Sequence, residues 1–337
     1  MMGMRKPAYL KPGDGITLVA PSFGCVIEPY MTRLHVSIKN LEKVGFRVHE
    51  GANIWRADGV ACSAPPKDRA KEIHDAFSSD AQLILSVGGG ETMDEMLPEI
   101  DFDALSACEA KWYMGFSDNT NLTFLLPTLC DTMSIYGPCA GSFFQKKWRL
   151  SEKDAFDLLQ GKTHFEGYPK WSISEKNVDH PLWGYRLSQP KIIVDHNYQE
   201  PFEGMLLGGC IDCLINLCGT RFDRVKEFIS HHPEGIIWFL EACDLNAMAI
   251  RRAYFQLREA GWFDNVKGFL IGRALSGREE VLGVDRFRAA IDMLGGFNVP
   301  ILMDVDLGHL APSMPILTGA YARIALEKGN LIVDYLD

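Results

Sequence analysis

The sequence predicts an α/β protein: a parallel sheet flanked by helices in the N-terminal half, followed by a second unit of mixed strands and helices. Three observations lead there. Short apolar runs alternate with amphipathic helical stretches from residue 16 to residue 130, which is the pattern of a parallel sheet with helices on both faces. Several of these runs end in glycine or polar turns, as strands do at the working edge of such a sheet. The 337-residue length supports two domains, each large enough for its own core.

The first strand is Ile16-Thr17-Leu18-Val19-Ala20, entered from the turn Lys11-Pro12-Gly13-Asp14-Gly15 and left through Pro21-Ser22-Phe23-Gly24. Tyr30 to Val44 carries apolar residues at helical spacing (Met31, Leu34, Ile38, Leu41) and stops at Gly45. Phe46 to His49 is a short strand, Trp55 to Pro66 a loop, and Lys67 to Ser78 a charged amphipathic helix. Ala81 to Val87 is a buried strand running into Gly88-Gly89-Gly90, and Glu91 to Leu97 is helical. Lys111 to Met114 is the next strand, and Gly115-Phe116-Ser117-Asp118-Asn119-Thr120 turns from it into a helix reaching Cys130. Pro127 leaves the end of that helix open, since an interior proline removes a hydrogen bond and crowds the preceding turn.

From Lys146 to about Pro201 the chain is rich in Trp, Tyr, Lys, Asp and Pro and reads as a connection with little structure of its own. Regular patterning then returns. Met205-Leu206-Leu207 leads through Gly208-Gly209 into a helix from Cys210 to Leu217. Gly235 to Leu240 is an apolar strand ending on Glu241, and Asn246 to Ala260 a helix stopped by Gly261. Lys267 to Ile271 and Val299 to Val305 are strands, the second leading to Gly308-His309. Ala322 to Leu326 and Leu331 to Leu336 form a hairpin around Lys328-Gly329-Asn330. The expected division is 1–150, a connection over 151–200, and 201–337.

Composition excludes several classes. Apolar residues are 47% and charged residues 23%, as in ordinary globular proteins, and the net charge is −10. An acidic chain without a basic run does not suit nucleic acid or an anionic membrane surface. Met1 to Lys11 lacks the apolar segment of a signal peptide, and no apolar run approaches the length of a membrane span. Nine cysteines are scattered through apolar segments. Cys210, Cys213 and Cys218 lack the second pair that would close a tetrahedral metal site, and His231 and His232 do not supply it. These cysteines are expected to pack as small hydrophobes in a reduced, cytoplasmic protein. Neither a metal nor a cofactor is expected.

Three polar residues stand at or just beyond the ends of apolar strands: Ser117, Glu241 and His309. Each has a plain alternative. Ser117 or Asp118 can cap a helix, Glu241 can pair with Arg251, Arg252 or Arg273, and His309 can be a satisfied loop histidine. Together they are the nucleophile, orienting acid and base of a serine hydrolase. The chain order Ser, acid, His is that of α/β-hydrolases, but Asn119 stands where their G-x-S-x-G elbow has glycine. Gly88-Gly89-Gly90 matches neither dinucleotide nor P-loop fingerprint. It is either a tight turn or a place where a backbone N–H approaches a reacting carbonyl.

The chain resembles the LD-carboxypeptidase family of serine peptidases, which includes muropeptide tetrapeptide carboxypeptidases and microcin C self-immunity peptidases. The resemblance rests on Lys11-Pro12-Gly13-Asp14 with Val19-Ala20-Pro21-Ser22, on Gly88-Gly89-Gly90, and on Gly115 to Thr120. It continues through Tyr136-Gly137-Pro138, Gly204 to Gly209, Leu217 to Thr220, Phe239-Leu240-Glu241, and Gly308-His309 with Pro312. It implies a Ser117–His309–Glu241 triad and an oxyanion hole from the N–H groups of Asp118 and of Gly89 or Gly90. It also implies an N-terminal Rossmann- or flavodoxin-like domain carrying the serine, a C-terminal domain carrying Glu and His, a site between them, and a homodimer. Two departures stand out: Cys210 replaces the asparagine of a Gly-Gly-Asn motif, and Ala242-Cys243-Asp244 follows the glutamate. The expected activity is release of a C-terminal D-amino acid from muropeptides through an acyl-enzyme. Cleavage of peptidyl or aminoacyl adenylates is the alternative within the family. A non-catalytic muropeptide binder and a nucleotide binder are the alternatives outside it.

Overall fold

The computed structural model describes residues 3–173 and 180–336. The first half runs β1 (Gly15–Val19), α1 (Tyr30–Lys43), β2 (Arg47–Glu50), α2 (Pro66–Ser78), β3 (Leu83–Ser86), α3 (Phe102–Ala107), β4 (Trp112–Gly115), α4 (Thr120–Cys130), β5 (Ser134–Tyr136) and α5 (Leu150–Leu159). Four short strands follow: β6 (His164–Glu166), β7 (Lys170–Trp171), β8 (Gln189–Pro190) and β9 (Val194–His196). The second half runs β10 (Phe202–Cys210), α6 (Ile211–Leu217), α7 (Val225–His231), β11 (Ile236–Glu241), α8 (Ala247–Glu259), β12 (Val266–Gly272), α9 (Arg286–Leu294), β13 (Ile301–Val305), β14 (Ile316–Thr318), β15 (Tyr321–Glu327) and β16 (Asn330–Tyr335).

The N-terminal sheet has the order β2-β1-β3-β4-β5, all parallel, with β14 added antiparallel beside β5. This is the flavodoxin-like strand order, and its direction of winding reverses between β1 and β3. The loops leaving β1 and β3 therefore diverge at a crevice. They are Pro21–Gly24 and Gly88–Gly90, joined by a hydrogen bond from Phe23 N–H to the Gly89 carbonyl (3.0 Å). The C-terminal sheet is mixed, in the order β6-β16-β15-β10-β11-β12-β13-β9. Its central strands β10 to β13 are parallel, and the β15–β16 hairpin turns through Lys328 and Gly329, both at positive φ, as a tight hairpin demands.

Helix α4 joins the two sheets. Thr120 to Pro127 and Cys130 are buried on it, and Phe124 stacks on Trp262 and packs beside Trp238 of β11. The helix runs through Pro127 to Cys130. The carbonyl that proline leaves without an intrahelical donor is that of Thr123, and the Ser134 hydroxyl donates to it at 2.6 Å. Behind the first turn, Cys210 N–H donates to Thr120 Oγ1 (2.9 Å), which ties the end of β10 to α4.

Other expectations need correction. The helix expected over Glu91 to Leu97 is a 3₁₀ segment, Met93–Glu99, with Pro98 inside it. Several elements form where none was expected, among them α3, β5 and α5 in the first half and α7, α9 and β14 in the second. α3 has six residues and β5 three, too short for periodicity to register. α5 buries Ser151, Glu152 and Asp154 along with Phe156, so polar residues on its inner face hide the helical pattern. Phe156 packs on Phe46, Phe143 and Trp148, so this stretch of the expected connection lies on the core of the first sheet. β6 and β9 of the same stretch are edge strands of the second sheet, and 174–179 lie outside the described residues.

Candidate active site

Ser117 sits where β4 turns toward α4, with φ of +63°. A β-carbon in this left-handed region costs energy. The turn is held by what surrounds it. Asn119 is fully buried, and its side chain folds back over Gly115, where a β-carbon would come within 2.6 Å of Asn119 Cγ. From there Asn119 Nδ2 donates to the carbonyls of Gly88 and Phe116 (3.0 Å each), and Oδ1 accepts from the Tyr113 hydroxyl (2.6 Å). The residue that broke the hydrolase elbow pattern thus clamps the serine turn to the glycine loop.

Neither Ser117 nor Asp118 caps α4, whose N-cap is Asn119 without a side-chain cap bond. Asp118 is buried and accepts hydrogen bonds from the Ser22 hydroxyl, Met93 N–H (2.9 Å) and Asn121 Nδ2 (3.0 Å). Burial raises its pKa against those donors. It locks the β1, β3 and β4 loops together.

Glu241 closes β11 and is 1% exposed. His309 follows β13, on a loop where Gly308 has φ of +101°. A β-carbon at Gly308 would lie 2.6 Å from Glu241 Oε2, so glycine lets the chain pass the carboxylate closely enough to present the next side chain. His309 Nδ1 lies 2.8 Å from Glu241 Oε2, and Nε2 lies 2.8 Å from Ser117 Oγ. Two of the three expected arginine partners of Glu241 are engaged elsewhere, Arg251 with Asp292 and Arg273 with Asp306, each at 2.5 Å.

Charge matches this geometry. Burial by itself would lower the His309 pKa, but the Glu241 carboxylate opposite, helped by Cys243, carries it well above the ordinary 6.5. Burial pushes Glu241 up, and the facing imidazolium with the His309 and Tyr136 hydrogen bonds brings it below its usual value. Phe116 packs against the imidazole at 5.5 Å between ring centres.

Sequence reasoning met Tyr136 only inside a motif and gave it no role. It is fully buried at the end of β5, donates to Glu241 Oε1 (2.5 Å), and accepts from Ser117 N–H (3.0 Å). It links the serine backbone directly to the carboxylate. The signal available was a polar-tipped aromatic closing an apolar run, as Glu241 does.

Gly89 lies against the serine. A β-carbon there would be 3.1 Å from Ser117 Cβ and 3.3 Å from Oγ. At Gly90 it would strike Ser22 Oγ at 2.1 Å. Two cavities meet at Ser117 and Gly90. The larger, about 420 Å³, has aromatic walls from Phe23, Tyr30, Phe144 and Tyr185, with Arg33 and Arg149 among its lining. The smaller, about 70 Å³, lies between the loops after β3 and β11 and the start of α6. The arrangement can deprotonate a serine hydroxyl toward a substrate held across the two.

Residues 16–137 match the LD-carboxypeptidase N-terminal domain and residues 203–324 the LD-carboxypeptidase C-terminal domain. Over 336 residues the chain is 23% identical to the microcin C7 self-immunity protein MccF of Escherichia coli, covering 97% of this chain and 94% of that one. The structure of MccF in complex with aspartyl sulfamoyl adenosine has the same fold, with a TM-score of 0.82, 21% identity, and 97% and 98% of the two chains covered. Muramoyltetrapeptide carboxypeptidase from Oxalobacter formigenes also shares it, at a TM-score of 0.72, 21% identity, and 96% and 99% coverage.

Proposed function

Since the chain belongs to the LD-carboxypeptidase family, we propose that it is a serine carboxypeptidase that releases a C-terminal D-amino acid from muropeptides through an acyl-enzyme. The observation that carries this reading is the continuous path Ser117 Oγ–His309–Glu241, with both contacts at 2.8 Å. His309 takes the serine proton as Oγ attacks the scissile carbonyl, and Glu241 holds the tautomer and stabilises the imidazolium. The imidazolium then protonates the leaving amine, and water repeats the sequence on the acyl-enzyme. We assign the oxyanion donors to Asp118 N–H and to Gly89 or Gly90 N–H. Ser117 N–H is already engaged by Tyr136. Residence in the cytoplasm and assembly as a homodimer belong to the same proposal; light scattering after gel filtration tests the dimer.

A second substrate reading has its own support. The aromatic walls of the larger cavity suit a nucleoside-sized leaving group. The related MccF is known in complex with aspartyl sulfamoyl adenosine. Mass spectrometry of products from a panel of muropeptides and aminoacyl sulfamoyl adenosines separates the two. Loss of a terminal D-residue supports the first reading, and release of sulfamoyl adenosine with the muropeptides intact supports the second.

Two consequences can be measured on either substrate. A base must be unprotonated to act, and His309 is held protonated by Glu241. The acidic limb of kcat/KM against pH should therefore be centred above the ordinary histidine value of 6.5. A limb at or below that value would mean that the ion pair does not set the working pKa. Gly89→Val places a branched side chain against Ser117, where even a β-carbon is at 3.1 Å. It should lower kcat by roughly 10²–10³-fold, the effect of losing one oxyanion donor. Unchanged kinetics would leave the glycine loop as a turn only.

A further inference from the structure

The phenol of Tyr136 touches both ends of the path from Ser117 to Glu241. It donates to Glu241 Oε1 (2.5 Å) and accepts from Ser117 N–H (3.0 Å), while Oε2 of the same carboxylate faces His309. Its place is tightly fixed. Tyr136 pairs with Gly115 of β4 on one side and Ile316 of β14 on the other, and its ring packs on Phe239 and Phe116 at 5.7 and 6.5 Å between centres. Burial, with the charge of Glu241, pushes its pKa well above 10, so the hydroxyl keeps its proton and stays a donor. Tyr136 lines neither of the cavities that meet at Ser117, so holding substrate is not its part.

A phenol O–H on a carboxylate favours the charged form and weakens it as a base. Burial pushes the Glu241 pKa up, and His309, the Tyr136 hydroxyl and the Cys210 thiol at the end of β10 act against it. Burial pulls the His309 pKa down, and Glu241 and Cys243, just past β11, raise it. Glu91, beyond the glycine loop, is a further carboxylate within reach of the His309 charge. The more of the Glu241 charge the phenol takes up, the less is left to hold a proton on the imidazole. The relay also has a direction. With its proton given to Glu241, the phenol oxygen accepts from Ser117 N–H, and each bond polarises the next.

We propose that Tyr136 is a positioning residue: by bonding Glu241 and Ser117 at once, it tempers the carboxylate so that the imidazole gives up its proton more readily, and it anchors the peptide of the nucleophile. The consequence for turnover rests on the carboxypeptidase reading, whereas the effect on the His309–Glu241 pair can be read without substrate.

NMR titration of the resting enzyme, labelled with nitrogen-15 in its histidine rings, provides that readout. The chain has nine histidines, and His309→Gln assigns the signal. Two variants are compared with the unmodified protein: Tyr136→Phe, which removes the donor, and Tyr136→3-fluorotyrosine, which strengthens it. Tyr136→Phe should raise the His309 pKa by about one pH unit, the scale of one hydrogen bond to a charged group. The fluorinated protein should show a lower value than the unmodified one. On whichever substrate is cleaved, the acidic limb of kcat/KM should move in the same directions. A purely structural role predicts a lower melting temperature with the His309 pKa in place. An unchanged or lowered pKa in folded Tyr136→Phe overturns the proposal. If that variant does not fold, the fluorinated protein decides: a lowered pKa supports the proposal, and an unchanged or raised one overturns it. A moved pKa without hydrolysis of any muropeptide or aminoacyl sulfamoyl adenosine keeps the role of Tyr136 and removes the peptidase, whereas hydrolysis with an unmoved pKa does the reverse.

Discussion

Ser117→Ala is expected to lower kcat by on the order of a millionfold, the scale seen when a serine nucleophile that acts as a unit with its base is removed. The fold should survive. The described contact of the hydroxyl is with His309, and the Ser117 N–H that donates to Tyr136 remains. Alanine inherits the left-handed backbone at φ +63°, so it adds little strain beyond that already present. Asn119 and Asp118, which hold the turn, are untouched. Turnover on the cleaved substrate and the melting temperature should be measured on one preparation. A folded variant within tenfold of the original rate would remove Ser117 from the chemistry and with it the acyl-enzyme.

Glu241→Gln should lower kcat by roughly 10⁴-fold, as expected when the acid of a triad becomes an amide. The amide oxygen can still accept from Tyr136. The amide nitrogen then faces His309 Nδ1, now 2.8 Å from Oε2. An N–H there forces Nδ1 to accept, which moves the imidazole proton to Nε2, the atom that must receive the serine proton. The charge that holds the His309 pKa up is lost as well, so any residual activity should show its acidic limb at lower pH. A structural salt bridge predicts the opposite outcome, a lower melting temperature with most of the rate retained. The placement of Arg251 and Arg273 on Asp292 and Asp306 argues against that alternative. A destabilised but fast variant would nevertheless establish it.

The main elements of the first sheet were legible because each is long or strongly patterned. Helix α1 follows its i, i+3, i+4 spacing, and β3 and β4 are buried at every residue, so apolar runs announce them. Where an element spans fewer than two periods, as α3 with six residues and β5 with three do, the signal vanishes. Where polar residues are buried, it misleads: α5 places Ser151, Glu152 and Asp154 inward, and the sequence there reads as a connection. Pro127 shows the limit of a local rule. The lost helical bond is replaced by Ser134, a residue beyond the end of the helix, and no window of helical sequence contains that partner.

The candidate site divides along the same line. Ser117, Glu241 and His309 could be singled out from sequence because a polar group at or just beyond the end of an apolar run needs a partner when it is buried. The glycine loop could be singled out because three glycines imply a close approach. That Ser117 meets His309 across 192 positions, and His309 meets Glu241 across 68, was decided by the packing of two sheets about α4. The roles of Asn119 and Tyr136 were decided there too. Each is an ordinary residue in its own segment. One clamps the turn after β4 to the glycine loop after β3, and the other reaches from β5 to the end of β11. Residue type and local period are properties of a segment and can be read from it. Which segments become neighbours depends on burying the apolar faces of both sheets at once, and only the folded chain satisfies that condition.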